Sequence, residues 1–232
     1  MTDPARVQAP IRDAASLIVL RRAATGAAIL MGMRGQAAVF MPSKFVFPGG
    51  AVDPGDATLP LARPLPDPHR RRLLAEPRDV AAPSPDAIAA AALRELAEET
   101  GLLIGQPGGG AQVPGFAEAG LVPDAGGLAY LFRAITPPGR PRRFDAHFFV
   151  ADAASVAGDP EDFSRACDEL SHLHWVGLSE ARSLDLPFIT EVVLAELTEL
   201  AGSVPWHTTL PVPDSVPFFD NRGPAPRFVQ IA

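Results

Sequence analysis

Apolar positions in this chain fall in short, separated runs. Residues 16–20 and 27–33 are two such runs, joined by a stretch with Thr25-Gly26 as its turn, and predict a hairpin or two neighbouring strands. Phe45-Val46-Phe47 is a shorter apolar piece, stopped by Pro48-Gly49-Gly50. Residues 128–135 read as a strand. Residues 142–150 alternate, with Phe144, Ala146, Phe148 and Val150 on one face and Arg143, Asp145, His147 and Phe149 on the other. Residues 169–176 form a further strand. The period changes at two places. Ser84-Pro85-Asp86 is a helix start: a hydroxyl cap, a proline at the first helical position and an acid at the positive end of the dipole. No breaker follows until Gly101, a C-terminal cap. Residues 186–201 form a second, amphipathic helix with Val192, Val193, Leu197 and Leu200 among its apolar positions. Several strands separated by two good helices predict an α/β or α+β domain of mixed strand order.

The breakers are not spread evenly. Of 26 prolines, ten fall between Pro42 and Pro85 and six between Pro205 and Pro226, with none between Asp86 and Gln106. Residues 57–85 lack periodicity and carry Arg70-Arg71-Arg72, so they read as an inserted loop with a helical turn near Leu73-Leu74. Residues 105–127 are glycine-rich and read mostly as loop. The predicted organisation is an N-terminal extension, 1–15, a domain over 16–202, and an extended Pro-rich tail, 203–232.

Length and charge narrow the function. A chain of 232 residues is one domain, at most two, and long enough to bury a core. A net charge of −7 argues against a nucleic-acid polymer as partner, which demands a basic stripe. It leaves small anions open, because a bound cation inverts the sign of a local site. Cys167, the single cysteine, forms no internal disulfide. No stretch is apolar enough for a membrane span and residues 1–12 do not read as a secretory signal, so a cytoplasmic protein is expected.

Three of only eleven glutamates lie within five residues, in Arg94-Glu95-Leu96-Ala97-Glu98-Glu99-Thr100-Gly101-Leu102. At helical spacing Arg94, Glu95, Glu98 and Glu99 share an arc of about 140°. Glu95 then neighbours both Glu98 and Glu99, a repulsion of a few tenths of a kcal/mol per pair that Arg94 only partly relieves. Two readings follow. One is a solvated acidic face; the other is a hard divalent cation, Mg²⁺ or Mn²⁺, bound by oxygen ligands on a rigid support.

The same residues carry a family resemblance. Residues 94–102 match every fixed position in the second half of the Nudix box, R-E-U-x-E-E-x-G-U, and residues 47–53 resemble the opening of its first half. In the family the box's Gly and Arg are 14 positions apart; here Gly50 and Arg94 are 44 apart, so about 30 residues are inserted. The box's first Glu is replaced: counting forward from Gly50 places Asp56 there, counting back from Arg94 places Asp86. The interrupted box, with residues 40–50, 135–149, 169–176 and 186–187, is similar to a subgroup that includes coenzyme A diphosphatases and bacterial relatives. The coenzyme A signature of other peroxisomal members is absent, Val39 and Ser43 standing in its place.

The resemblance implies a Nudix-type α/β/α sandwich with a mixed central sheet. It also implies hydrolysis of a diphosphate that joins a nucleoside to another group, with coenzyme A or an acyl-CoA as the first substrate to consider. An ADP-ribose or nucleotide-sugar diphosphatase and a non-hydrolytic nucleotide sensor are the alternatives. Glu95, Glu98 and Glu99, with Gly50 through its carbonyl, would hold Mg²⁺ or Mn²⁺. Glu95 or Glu99 would act on the water, and Arg94 would orient the carboxylates by pairing with Glu95 or Glu98. Arg34, Arg143 and His147 are candidates for lining the substrate. His172 and His174 lack a nearby third ligand for zinc, and Trp175 reads as core. The apolar tail, with Trp206, Phe218, Phe219 and Phe228, packs either on its own domain or over a neighbouring subunit as a homodimer.

Overall fold

The computed structural model describes residues 9–36, 41–79, 82–110, 113–223 and 225–232. Val39 and Phe40 of the family comparison, and residues 1–8 of the N-terminal extension, lie outside them. Twelve strands are described: β1 (Ile11–Ala23), β2 (Gly26–Arg34), β3 (Phe45–Val46), β4 (Gly49–Ala51), β5 (Leu103–Pro107), β6 (Leu121–Pro123), β7 (Ala129–Ile135), β8 (Arg143–Asp152), β9 (Val156–Ala157), β10 (Leu170–Gly177), β11 (Val216–Asp220) and β12 (Arg227–Ile231). The helices are α1 (Asp67–Leu74), α2 (Pro85–Thr100), α3 (Phe116–Ala119) and α4 (Phe188–Gly202).

The central sheet runs β10-β2-β1-β8-β7-β11-β12, with β3 added on β2 and β4 on β1. It is mixed: β1 pairs parallel with β8 and antiparallel with β2, and β7 pairs antiparallel with β8 and parallel with β11. Both faces are covered, so β1 reads as a continuous apolar run. Leu17 and Val19 point to one core with Ile88, Leu93 and Leu96 of α2. Ile18 and Leu20 point to the other, with Val193, Leu194 and Leu197 of α4. Each of these fully buried side chains contributes roughly 1.5–3 kcal/mol. The result is the α/β/α sandwich that the motif implied. Among the described residues no helix is long and apolar enough to cross a membrane.

Three stretches are more ordered than their sequences suggest. The inserted segment holds an eight-residue helix, α1, started by Pro68 near its N-terminus and closed by Arg71 and Arg72 in its last turn. The glycine-rich stretch after α2 forms β5, α3 and β6, pieces too short to show a period. The tail is not wholly extended coil: β11 enters the central sheet beside β7, and β12 folds back on β11. Phe218 is fully buried there.

The inserted segment and the tail also hold each other. Arg72 donates to the carbonyls of Pro213 (2.6 Å) and Asp214 (2.7 Å). From the tail, Arg222 reaches the Glu76 carboxylate (2.8 Å) and the Pro77 carbonyl (3.0 Å). Arg133 of β7 closes the group by donating to the Glu76 carbonyl at 2.9 Å.

Candidate active site

Helix α2 begins as its sequence predicts, with Ser84 Oγ accepting from the Ala87 N–H at 3.2 Å. It ends at Gly101, whose φ of 76° a side chain would strain. A Cβ at Gly101 would also meet Arg165 at 2.9 Å. The helix is buried all round along Ala89 to Ala92, whose small side chains allow close approach of its neighbours, and the glutamates emerge at its C-terminal end.

Strand β4 lies against that end. Its Gly50 pairs with Ala15 of β1, and a Cβ on Gly50 would run into the Glu95 carboxylate. The neighbouring Gly49 N–H donates to Glu99 Oε2 at 2.7 Å. Glu99 is 1% exposed, and its other oxygen, Oε1, is buried with no hydrogen-bond partner among the described residues. Burial pushes the Glu99 carboxyl up to about 8, against the Gly49 N–H; the charges of Glu95 and Glu169 act with burial and that of Arg34 against it. Burial likewise raises Glu95, with Arg94 opposing and the charges of Glu98 and Glu169 assisting. Glu98 is the most open of the three, its side chain 40% exposed.

Arg94 ties the cluster together. It donates to Glu95 Oε1 at 2.8 Å and Glu98 Oε2 at 3.1 Å, so it meets both of its expected partners. It also donates to the Ala51 carbonyl at 3.0 Å, joining the helix to β4. Its remaining contact is the Asp56 carboxylate, at 2.8 and 3.1 Å. Burial works against the Arg94 charge, but the hydrogen bonds from Asp56 and Glu95 outweigh it and hold the guanidinium above its ordinary pKa. Of the two aspartates that count into the missing position of the motif, Asp56 is the one that meets Arg94. Asp86 instead accepts from Leu65 N–H and pairs with Arg70. A groove of about 650 Å³ adjoins Arg94, with Asp53, Asp56, Thr58, Pro60 and Pro114 in its walls.

A further carboxylate comes from outside the helix. The segment before β10 docks on the C-terminal end of α2: Cys167 N–H donates to the Glu98 carbonyl (3.0 Å) and Arg165 to the Gly101 carbonyl (3.1 Å). Two residues later Glu169 pairs with Arg34 at 2.6 Å. The sequence places Glu169 at the start of a strand and within the family resemblance, but gives it no role in the site. The pairing of β10 with β2, which brings Glu169 to Arg34, leaves no local signal.

Arg143 and His147, expected to line the substrate, correct that expectation by being interior groups. Arg143 donates to the carbonyls of Thr136 (3.0 Å) and Asn221 (2.9 Å). His147 Nδ1 bonds the Tyr130 hydroxyl at 2.9 Å, and burial pushes the ring down to about 4. The reason is the covering of their face: β8 is a central strand, and Arg78 of the inserted segment closes over it through ion pairs to Asp13 (2.6 Å) and Asp145 (3.6 Å). Ligand-type atoms of Asp13, Asp145 and His147 do lie within 4.8 Å of one another. Arg133 grips Asp145 at 2.7 and 2.8 Å and Arg78 grips Asp13, so this cluster is an ion-pair network already supplied with cations. Trp175 is half-buried, its indole N–H on the Pro160 carbonyl and Arg21 over its ring at 3.9 Å. His172 and His174 are exposed.

No family model and no curated protein matches the chain. Among solved structures it is similar to a Nudix hydrolase from Alicyclobacillus acidocaldarius, at 30% identity over 84% of this chain and 97% of that one, with a TM-score of 0.61. It is also similar to a Nudix hydrolase from M. smegmatis, RenU, at 18% identity over 85% and 89% of the two chains (TM-score 0.46). A C. elegans Ap4A hydrolase gives 16% identity over 84% and 100% (TM-score 0.47).

Proposed function

The chain belongs to the Nudix hydrolases and is an enzyme of that family; from this premise we propose that its carboxylate cluster cleaves the diphosphate linkage of a nucleoside diphosphate derivative. The observation that carries the reading is Glu99 Oε1, a carboxylate oxygen buried beside Glu95 with no partner among the described residues. Leaving such an atom unpaired costs about 1–3 kcal/mol or more, and an unpaired acceptor among acids is what a cation site requires. The donor set fits Mg²⁺ or Mn²⁺: it is all oxygen, from Glu95, Glu98, Glu99 and the Gly50 carbonyl. A divalent cation there would neutralise charge gathering on the phosphoryl oxygens.

The chain's own residues then have distinct tasks. Glu95 and Glu99 hold and orient the attacking water. Arg94 positions Glu95 and Glu98 and is itself fixed by Asp56. Arg34, at the mouth of the cluster, meets the substrate's phosphates. Coenzyme A or an acyl-CoA is the substrate we favour, on the strength of the interrupted motif; water would divide coenzyme A into 3′,5′-ADP and 4′-phosphopantetheine. ADP-ribose and nucleotide sugars are the second class. A complete carboxylate set argues against a purely sensing role.

The test is product identification by mass spectrometry over coenzyme A, acetyl-CoA, ADP-ribose and nucleotide sugars with Mg²⁺ or Mn²⁺. Release of a phosphomonoester pair from one class, lost in Glu98→Gln and Glu99→Gln, is the expected result. Binding of these compounds without cleavage under either cation would overturn the proposal.

A further inference from the structure

Arg94 has two anchors outside its own helix, the Ala51 carbonyl at 3.0 Å and the Asp56 carboxylate at 2.8 and 3.1 Å. Both extend from the backbone around Val52: β4 ends just before it at Ala51, and the short turn that carries Asp56 follows at residues 54–58. The Val52 N–H donates to the Asp13 carbonyl at 2.9 Å, so Asp13 ties this stretch to β1. Asp13 is the third residue of that strand, close to its end.

The Asp13 side chain needs a partner. In the parallel pairing of β1 and β8 it lies in register with Asp145, and the two side chains are 15% and 1% exposed. Like charges side by side on neighbouring strands push the strands apart. Asp145 is already paired with Arg133, at 2.7 and 2.8 Å. Asp13 relies on Arg78 of the inserted segment, at 2.6 Å, whose Nε also faces Asp145 at 3.6 Å. Burial pushes the Asp13 carboxyl up, the Arg78 charge opposes it, and the Asp145 charge acts with burial. A pinned turn aims Arg78 at this pair. Glu76, two residues earlier, has a φ of 54°, a left-handed conformation that costs a residue with a side chain about 1 kcal/mol or more. Its carbonyl accepts from Arg133 at 2.9 Å and its carboxylate from Arg222 of the tail at 2.8 Å.

We propose that Arg78 is a positioning residue for the cleavage reaction: standing between Asp13 and Asp145, it keeps the start of β1 seated on β8 and so fixes, through Val52, both anchors of Arg94. The role presupposes the hydrolytic reading above. Without Arg78, Asp13 and Asp145 repel across the strand pair and Val52 moves with Asp13. Arg94, which orders Glu95 and Glu98, then loses its two fixed points together. The segment that separates the halves of the motif thus supplies the residue that keeps them aligned.

The experiment compares Arg78→Ala in the full chain with Arg70→Ala, which removes another ion pair of the inserted segment, the one to Asp86. With coenzyme A or ADP-ribose, whichever the wild type cleaves, Arg78→Ala is expected to lower kcat per folded molecule about tenfold or more with KM little changed. Arg70→Ala keeps the wild-type kcat. Hydrogen exchange on the cation-free proteins gives a readout independent of turnover: Arg78→Ala loses protection at the Val52 amide and Arg70→Ala does not. Arg78→Lys, which keeps the charge, recovers most of both losses. In an Asp13→Asn background no repulsion is left to balance, so Arg78→Ala costs little further kcat.

Lowered stability with wild-type kcat and unchanged Val52 protection in Arg78→Ala is the behaviour of a merely structural ion pair and would overturn the inference. So would equal kcat losses in Arg78→Ala and Arg70→Ala, or additive losses with Asp13→Asn. Should Arg78→Ala fail to fold, Arg78→Gln, which keeps a donor without the charge, is expected to show the same kcat loss in weaker form; wild-type kcat there sinks the idea. A wild type that cleaves none of these compounds would remove the underlying reading too. Val52 protection is still readable in that case, which sets it apart from a failure of Arg78 alone.

Discussion

Arg94 and Asp56 stand 38 residues apart in the chain and meet through two hydrogen bonds, Nε to Oδ1 at 2.8 Å and a terminal nitrogen to Oδ2 at 3.1 Å. Asp56 also receives the Asp53 N–H at 2.8 Å, which locks the short turn that carries it. The residue that fixes Arg94 thus sits before the inserted segment, and the arginine after it.

Removing Asp56 takes away the bidentate partner of a largely buried guanidinium and leaves it only Glu95, Glu98 and the Ala51 carbonyl. Asp56→Ala is expected to destabilise the protein by about 3 kcal/mol, read from urea denaturation. It is also expected to lower kcat by about tenfold or more through misplaced Glu95 and Glu98. Asp56→Glu, keeping the charge, should recover part of both. Wild-type kcat in Asp56→Ala would show that Arg94 needs no external anchor.

Gly50→Ala puts a methyl group where the Glu95 carboxylate lies. Because the obstruction is a side-chain end, the fold is expected to persist while kcat falls about a hundredfold, the usual result of an ångström-scale shift in a reacting constellation. Circular dichroism and steady-state kinetics on the same sample separate the two effects.

Glu99 gives the cation-free protein a signed pH dependence. Its carboxyl is raised to about 8 when folded, mainly by burial, against an ordinary value of 4.5. The folded state therefore keeps a proton that the unfolded chain releases. The resulting stabilisation is complete below about pH 4.5 and is lost as pH rises toward 8. Glu99→Gln should remove that loss, so its advantage over wild type in denaturant midpoint should grow across this range. A constant difference between the two would contradict it.

His69 acts in the opposite direction. Its Nδ1 accepts the Tyr130 N–H at 3.3 Å, and burial, with the Arg72 charge, pushes the ring down to about 4. The unfolded chain binds the proton first, so stability is complete above about pH 6.5 and falls as pH drops toward 4. His69→Asn keeps an acceptor and removes the titration. Its acid-side loss in thermal midpoint is expected to be shallower than that of wild type.

The helix carrying Glu95, Glu98 and Glu99 was readable because its signals are local. Ser84, Pro85 and Gly101 mark its ends, and the spacing of Arg94 from Glu98 sets their contact. The central strands were readable for the same reason, from runs such as 16–20 and 142–150. What sequence could not show depends on long-range pairing. Asp56 and Asp86 were equivalent by counting and are distinguished only by which of them reaches Arg94. Glu169 depends on β10 lying beside β2. The covering of His147 and Asp145 depends on Arg78 arriving from the inserted segment, and that of Arg143 on Asn221 arriving from the tail; neither segment has a periodicity to announce it. β11 carries Pro217 and follows a proline-rich stretch, a composition that reads as coil until β7 offers it a partner.

The bonds from Arg72 to the 213–214 carbonyls, and from Arg222 to Glu76 and Pro77, bear on how the chain can be rearranged. The interruption of the motif cannot be moved into a shorter homologous scaffold as a cassette, because part of its anchoring sits more than a hundred residues downstream. A graft that works must carry β11 and β12 with it, and a deletion must remove both. In this enzyme the two are a single module written in two places.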